Sequence, residues 1–240
     1  MEEKLDKALL RAIQAISEKF GPTAVLKGGM ALRLQGIPRS TIDADFSFKP
    51  FKKKTPFTSD LVSLMNHICD ETVKVASDSK KLQVVGMIEG TQILIEASAL
   101  AEDFDSEPLD TTEISNHYDL PPSIISIMPN SMAFSNKLGA WYDRRLSRDL
   151  YDIYVYYDIL KIHPDYDILI NRILKPNFTK LVKIKPKLSS IDAFTDFIRD
   201  QCSTKGDLEI ENELEGIIEE RERRGIGKKI TTTIRRMSLD

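Results

Sequence analysis

The feature that most constrains this chain is the stretch of residues 26–46, which reads LKGGMALRLQGIPRSTIDADF. It joins a glycine pair, Gly28 and Gly29, to two aspartates, Asp43 and Asp45. The glycines lie between a strand-like and a helix-like run, so their backbone N–H groups can face a phosphate. In a strand, Asp43 and Asp45 at positions i and i+2 share one face. Such a pair can hold magnesium against a triphosphate.

A third acid is predicted on a later strand. Two strand-like runs, residues 82–88 and 92–99, predict a hairpin. Glu96 interrupts the second run, and a carboxylate inside a central strand is costly unless it is paired or binds a metal. If the hairpin lies beside the aspartate strand, Glu96 completes a three-carboxylate site. The alternation is equally compatible with an outward-facing glutamate on a half-exposed strand.

The periodicity of apolar residues predicts that the chain changes character near residue 129. Before this point an amphipathic helix is followed by strands and helices, and one of these helices is predicted over residues 61–75. Residues 101–119 are predicted to form an acidic loop with a short strand. A further strand is predicted over residues 124–128. After it the pattern is helical over residues 131–144, 149–161, 166–174, 191–200 and 208–223. We therefore predict an α+β fold, with a mixed β-sheet core flanked by helices over residues 1–129. A helical domain over residues 130–225 and a basic, flexible tail over residues 226–240 follow.

Charge and cysteine content bound the class of protein. The net charge is -3, but residues 221–240 hold seven basic and two acidic residues, a net +5, which leaves -8 for the rest. A basic end is compatible with nucleic-acid contact, although a solvated end is the simpler interpretation, as it is for the basic loop around Lys52 and Lys53. Cys69 and Cys202 are far apart, which indicates reduced thiols in a cytoplasmic protein. No apolar run approaches the length of a membrane span.

Three blocks in this order carry a resemblance to a known family: LKGGMAL, PRSTIDADF and NKLGAWYDRRLSRDLYDIYVYYDIL. They resemble the AbiEii/AbiGii toxins of type IV toxin–antitoxin and abortive-infection systems, within the nucleotidyltransferase superfamily. The superfamily motif is a Gly-Gly or Gly-Ser pair followed at about this spacing by Asp-x-Asp, with a third acid on a later strand. The resemblance spans residues 24–160. It implies a nucleotidyltransferase-like mixed sheet, with the glycine-led helix beside the carboxylate strand, and a helical domain that closes over the nucleotide.

The resemblance also implies a reaction and its partners. A nucleoside monophosphate would pass from a nucleoside triphosphate to an acceptor hydroxyl or phosphate, with Mg²⁺ or Mn²⁺ as cofactor and pyrophosphate as leaving group. Some relatives act on the acceptor end of tRNA, so RNA is the expected acceptor, and an antitoxin is the expected partner. Two alternatives stay open: transfer to a small molecule such as an antibiotic, and a degenerate protein that binds nucleotide or a partner without turnover.

The resemblance assigns roles to the residues of the first two blocks. Gly28 and Gly29 would let the backbone approach the triphosphate, Asp43 and Asp45 would ligate the metal, and Glu96 would ligate a second metal or accept the proton of the attacking hydroxyl. Two cations, Lys27 and Arg39, flank the motif halves and would meet phosphate or acceptor, although surface solvation explains them equally well.

The third block supplies two further candidates. Lys137 would offer a positive charge to the leaving phosphates, and Asp149 is the first choice for an additional acid in the chemistry. Arg148, Asp149 and Asp152 are equally compatible with a capping and salt-bridge cluster between two helices.

One residue departs from the pattern. Relatives carry Thr or Ser near the position of Met30, where a hydroxyl can contact phosphate. Methionine lacks that donor and is expected to add bulk near the phosphate site, which would reduce nucleotide affinity or activity.

Overall fold

The structure, a computed structural model, describes residues 2–49, 54–77, 81–99, 104–180 and 182–239. The predicted basic loop at Lys52 and Lys53, and the first acids of the predicted acidic loop, Glu102 and Asp103, lie outside these residues. The chain divides into two compact units, Met1–Pro129 and Asn130–Asp240. Among the described residues, no helix combines the length and apolarity that a membrane crossing needs.

In its described residues, the first unit is built on a mixed sheet of seven strands. In chain order these are β1 (Ala24–Lys27), β2 (Asp43–Phe48), β3 (Lys74–Ser77), β4 (Lys81–Ile88), β5 (Thr91–Ala99), β6 (Glu107–Asp110) and β7 (Ile124–Ile127). Their order across the sheet is β3-β4-β5-β2-β1-β7-β6. The central strand β2 pairs antiparallel with β1 and parallel with β5. The hairpin of β4 and β5 therefore lies beside the aspartate strand.

The helices of the first unit are α1 (Glu2–Phe20), α2 (Gly28–Leu34), α3 (Lys54–Ile68) and α4 (Thr112–His117). Helix α1 contacts the sheet at β1, β2, β5 and β7 and also packs on α3. Its Leu9 and Ile13 share the apolar core with Ala44 and Phe46 of β2. Because side chains alternate along a strand, placing Ala44 and Phe46 in the core turns the intervening Asp45 to the opposite face.

Two elements of this unit differ from the prediction. The helix predicted over residues 61–75 ends at Ile68, and Lys74–Ser77 form β3, which pairs with β4. The apolar periodicity of a segment cannot show that its backbone pairs with another strand. The backbone of β3 forms its hydrogen bonds with β4. Residues 101–119, predicted as a loop with a short strand, include both β6 and the short helix α4.

The second unit is helical. Its helices are α5 (Asn130–Arg144), α6 (Ser147–Tyr154), which continues as a π-helical stretch over Val155–Ile159, α7 (Tyr166–Leu174), α8 (Ile191–Lys205), α9 (Asp207–Glu213), α10 (Glu220–Arg223) and α11 (Ile226–Arg236). Helix α5 packs on α6 and α7, and α11 packs on α8 and α9. Together with the mixed sheet of the first unit, this confirms the predicted α+β class.

The end of the chain corrects the expectation of a flexible tail. Residues 226–236 form α11, in which Ile226, Ile230 and Ile234 are buried. These residues recur every fourth position and so lie on one helical face. The helix predicted over residues 208–223 is also interrupted, because the chain turns at Gly216, whose φ is +72°.

Candidate metal and nucleotide site

A row of polar side chains crosses the middle of the sheet in the first unit. The register places Gln83 of β4 opposite Glu96 of β5, Glu96 opposite Asp45 of β2, and Asp45 opposite Lys27 of β1. Directly opposed residues project from the same face of a sheet. Asp43 lies two residues from Asp45 and joins the row on that face.

The three predicted acids meet in this row. Asp43, Asp45 and Glu96 each place one carboxylate oxygen within 4.8 Å of those of the other two. Glu96 is buried and faces the aspartates, so the alternative of an outward-facing glutamate does not apply. Three convergent carboxylates repel one another and offer the oxygen donors that magnesium prefers. The donor set therefore fits a divalent cation.

The electrostatics of the cluster are uneven. Burial, the charge of Asp43 and a hydrogen bond with Glu96 raise the pKa of Asp45 to about 6, while Lys27 opposes the rise. Burial alone would raise the pKa of Glu96, but hydrogen bonds from Lys81, Gln83 and Asp45 outweigh it and lower that pKa. Glu96 is therefore held ionised, whereas Asp45 retains a proton more readily than an ordinary aspartate.

Two residues of β4 fix the orientation of Glu96. The Gln83 amide nitrogen donates to Glu96 Oε1 at 2.6 Å, and the Lys81 ammonium pairs with Glu96 Oε2. Neither residue was predicted from the sequence as part of the site. They stand at alternate positions of a strand in which the next residues, Leu82 and Val84, are buried. That alternation of polar and apolar residues was the signal available in the sequence.

The glycine pair makes room for the carboxylate cluster. A Cβ on Gly28 would lie 2.8 Å from Asp45 Oδ2, and the backbone of Gly28 has φ +78°. A Cβ on Gly29 would lie 3.1 Å from the hydroxyl of Thr41, and this hydroxyl donates to Asp43 Oδ1 at 2.8 Å. The absence of side chains at Gly28 and Gly29 thus leaves room for the two aspartates as they are arranged. This role of the glycines is separate from the predicted approach of their backbone to a phosphate.

The two flanking cations lie close to this face. Lys27 Nζ donates to the hydroxyl of Ser98 at 3.2 Å. Arg39 is buried, and its guanidinium carbon lies 3.7 Å from the position that a Cβ on Gly29 would take. Burial removes simple surface solvation as the explanation for Arg39.

Met30 does not intrude on the site. Its side chain is fully buried and belongs to the apolar core. The expectation that it adds bulk near a phosphate is therefore wrong. Its thioether still offers no hydroxyl donor to a phosphate.

The second unit contains a separate cluster of buried charges between α5 and α6. Asp149 accepts hydrogen bonds from Arg144 Nε at 2.7 Å and from Arg144 Nη2 at 2.6 Å. Lys137 Nζ lies 2.6 Å from Asp152 Oδ2 and 4.0 Å from Asp149 Oδ1. Both aspartates are 0% exposed, whereas the Lys137 side chain keeps 16% exposure. Arg148 is exposed, in contrast to the two buried aspartates.

Comparison with known proteins identifies the family. The family model described as nucleotidyl transferase AbiEii toxin of type IV toxin–antitoxin systems matches residues 9–223. The solved structure of MenT4, a nucleotidyltransferase toxin from Mycobacterium tuberculosis H37Rv, is similar in fold, with a TM-score of 0.51 at 18% identity, over 95% of this chain and 92% of that chain.

A more distant solved structure is the CdnE cyclic dinucleotide synthase of Elizabethkingia meningoseptica with GTP and Apcpp. It has a TM-score of 0.33 at 15% identity, over 95% of this chain and 89% of that chain. No curated protein matches the chain significantly. The family match extends over most of both units and agrees with the resemblance seen in the sequence, so the chain belongs to the AbiEii nucleotidyl transferase toxin family of type IV toxin–antitoxin systems.

Proposed function

We propose that this protein is a metal-dependent nucleotidyltransferase that transfers a nucleoside monophosphate from a nucleoside triphosphate to RNA, with tRNA as the favoured acceptor. The observation that carries the proposal is the cluster of Asp43, Asp45 and Glu96, whose oxygens converge within 4.8 Å. Membership of a nucleotidyltransferase toxin family supports both the transfer reaction and a role as a toxin.

The three acids would hold Mg²⁺ or Mn²⁺, which when bound polarises the phosphate under attack and neutralises charge on the leaving group. Asp45, whose pKa is raised to about 6, can lose its proton near neutral pH and contribute a full negative charge. Glu96 is kept ionised and oriented by Lys81 and Gln83. It would complete the ligand set or accept the proton of the attacking hydroxyl.

Other residues of the first unit would bind the triphosphate. The backbone at Gly28 and Gly29 carries no side chain that would block a phosphate. Lys27 and Arg39 lie near the carboxylate row and the glycines respectively. Their positive charges would offset the negative charge of the phosphates.

In the second unit, Lys137 would bind the leaving phosphates. The Lys137 ammonium forms an ion pair with Asp152, and its Nζ lies 4.0 Å from Asp149 Oδ1. The complete burial of Asp149 and its two hydrogen bonds to Arg144 support a positioning role for this acid instead of direct contact with substrate. We extend the proposal to a cognate antitoxin as partner and to action in the cytoplasm, as the toxin family implies.

The test is incubation of the purified protein with total RNA, magnesium and each labelled nucleoside triphosphate in turn. We expect one or more nucleotides to label RNA, and Asp43→Ala or Asp45→Ala to abolish the labelling. Asp196→Ala is a suitable control, because the side chain of Asp196 is 78% exposed on α8. Labelling that survives both substitutions would contradict the proposed site, and labelling of a small molecule in place of RNA would contradict the proposed acceptor.

A further inference from the structure

A strongly basic stretch in the second unit is not used by the proposed chemistry. Residues 172–187 read RILKPNFTKLVKIKPK, with six basic and no acidic residues in a chain of net charge -3. The part that follows α7, residues 175–187, forms neither helix nor strand where the structure describes it. We call residues 175–187 the lysine segment.

Despite its irregular backbone, the lysine segment is tied to α5 at several points. The backbone N–H of Asn177 donates to Asp143 Oδ1 at 2.6 Å, and that of Thr179 donates to the Asp143 carbonyl at 2.9 Å. Farther along, the Tyr142 hydroxyl donates to the Pro186 carbonyl at 2.7 Å. Two consecutive residues of α5 therefore fix both ends of the segment.

Part of the apolar surface of the lysine segment is packed against the protein, whereas Ile184 is 73% exposed. Val182 is buried, and the ring of Phe178 packs edge-on to that of Tyr142 at 5.0 Å. The lysines of the segment are exposed: Lys175, Lys180, Lys183, Lys185 and Lys187. Within the described part of the chain, none of these five lysines forms an ion pair. The result is a row of positive charges held on an anchored backbone.

We propose that the lysine segment binds the sugar–phosphate backbone of RNA. Closely spaced, unpaired ammonium groups complement a polyanion, and lysine contacts phosphate as a point charge without reading bases. A membrane surface fits less well, because Phe178 and Val182 pack into the protein. Ile184 is exposed, but one apolar side chain between two lysines offers little surface for insertion. The inference rests on the proposed function in taking RNA as the acceptor.

The test compares two triple variants that remove the same charge. One is Lys183→Gln, Lys185→Gln and Lys187→Gln; the matched control is Lys4→Gln, Lys19→Gln and Lys74→Gln, at exposed positions of the first unit. Binding of fluorescently labelled tRNA is measured by anisotropy across a salt series, without nucleotide or metal. We expect the segment variant to bind about tenfold more weakly and its salt slope to fall by about 2, with the control within about twofold of the wild type.

An equal loss of tRNA affinity in the two triple variants would overturn the inference, because it would show that binding depends on net charge alone. A Lys→Arg triple at positions 183, 185 and 187 should retain the affinity of the wild type if the charges themselves act; its failure to do so would also count against the proposal. In the last part of the test, binding of the wild type and the segment variant to vesicles containing phosphatidylserine is measured. Loss of vesicle binding with tRNA affinity intact would identify a membrane surface and overturn the inference.

These readouts are independent of turnover. If the wild type labels RNA but the segment variant keeps its tRNA affinity, the proposed function stands and the inference fails. If the segment variant loses affinity although the wild type transfers no nucleotide, the inference stands and the proposed function fails.

Discussion

Two groups of acids in this protein are neutralised in different ways. In the second unit, Asp149 and Asp152 are fully buried, and each has a cation of α5 against it. In the first unit, Asp43, Asp45 and Glu96 converge on one another. Burial and the charge of Asp43 raise the pKa of Asp45 to about 6 even though Lys27 opposes the rise. The first arrangement is complete within the chain, whereas the second carries an excess of negative charge. This difference is why we assign the acids of the second unit to the fold and propose a cation as the ligand of those of the first.

The largest expected effect comes from breaking the self-contained group. Asp149→Ala leaves the Arg144 guanidinium without its buried carboxylate, and loss of one partner of a buried pair destabilises by about 3–5 kcal/mol. Urea denaturation followed by circular dichroism measures this. The control is Asp196→Ala, which removes an exposed partner of Arg199 and should change the unfolding free energy by less than about 0.5 kcal/mol. Similar values for the two variants would refute the structural role of Asp149.

A smaller effect on folding, but a specific one on activity, is expected at the glycine pair. Gly28→Ala and Gly36→Ala both place a side chain at positive φ, +78° and +82°, but only the first meets a neighbour, Asp45 Oδ2 at 2.8 Å. Each should destabilise by about 1 kcal/mol through backbone strain. Gly28→Ala should also reduce nucleotidyl transfer about 100-fold, because it displaces Asp45, whereas Gly36→Ala should leave transfer near the wild-type rate. Equal transfer rates for the two variants would show that the close packing of Gly28 against Asp45 has no role in activity.

The smallest effect is a gain in stability from relieving the excess charge. Because the folded-state pKa of Asp45, about 6, lies above the unfolded value of 3.8, this group stabilises the fold below pH 3.8 and loses that contribution as the pH rises through 6. Asp45→Asn, which stays neutral, should therefore stabilise the metal-free protein by about 1 kcal/mol at pH 7.5, after allowance for solvent screening. The gain should shrink at pH 5. Urea denaturation in EDTA at both pH values measures it, and a constant difference would argue against the raised pKa.

The sequence was sufficient where the signals are local. The glycine pair and the alternation around Asp43 and Asp45 predicted β2 and its polar face. The hairpin that carries Glu96 followed from its turn, where Glu89 and Gly90 both adopt positive φ, 49° and 71°, as a type I′ turn requires.

The sequence was insufficient where a residue acts through a partner far along the chain. Lys81 and Gln83 look like ordinary strand residues until the register sets them against Glu96, and Thr41 acquires its role only because Gly29 leaves space beside it. The charges of residues 226–236 predict a solvated tail in place of helix α11. The surface that buries its isoleucines is formed by helices earlier in the chain. Pairing and burial of this kind are properties of the fold and not of a local pattern.

The central claim, that Asp43, Asp45 and Glu96 form a divalent-cation site, is tested most directly by calorimetric titration of the purified protein with Mn²⁺. We expect the wild type to bind the ion, Asp45→Asn to weaken binding at least about tenfold, and Asp196→Asn, at an exposed position on α8, to bind like the wild type. Equal Mn²⁺ affinity in the wild type and Asp45→Asn would contradict the account.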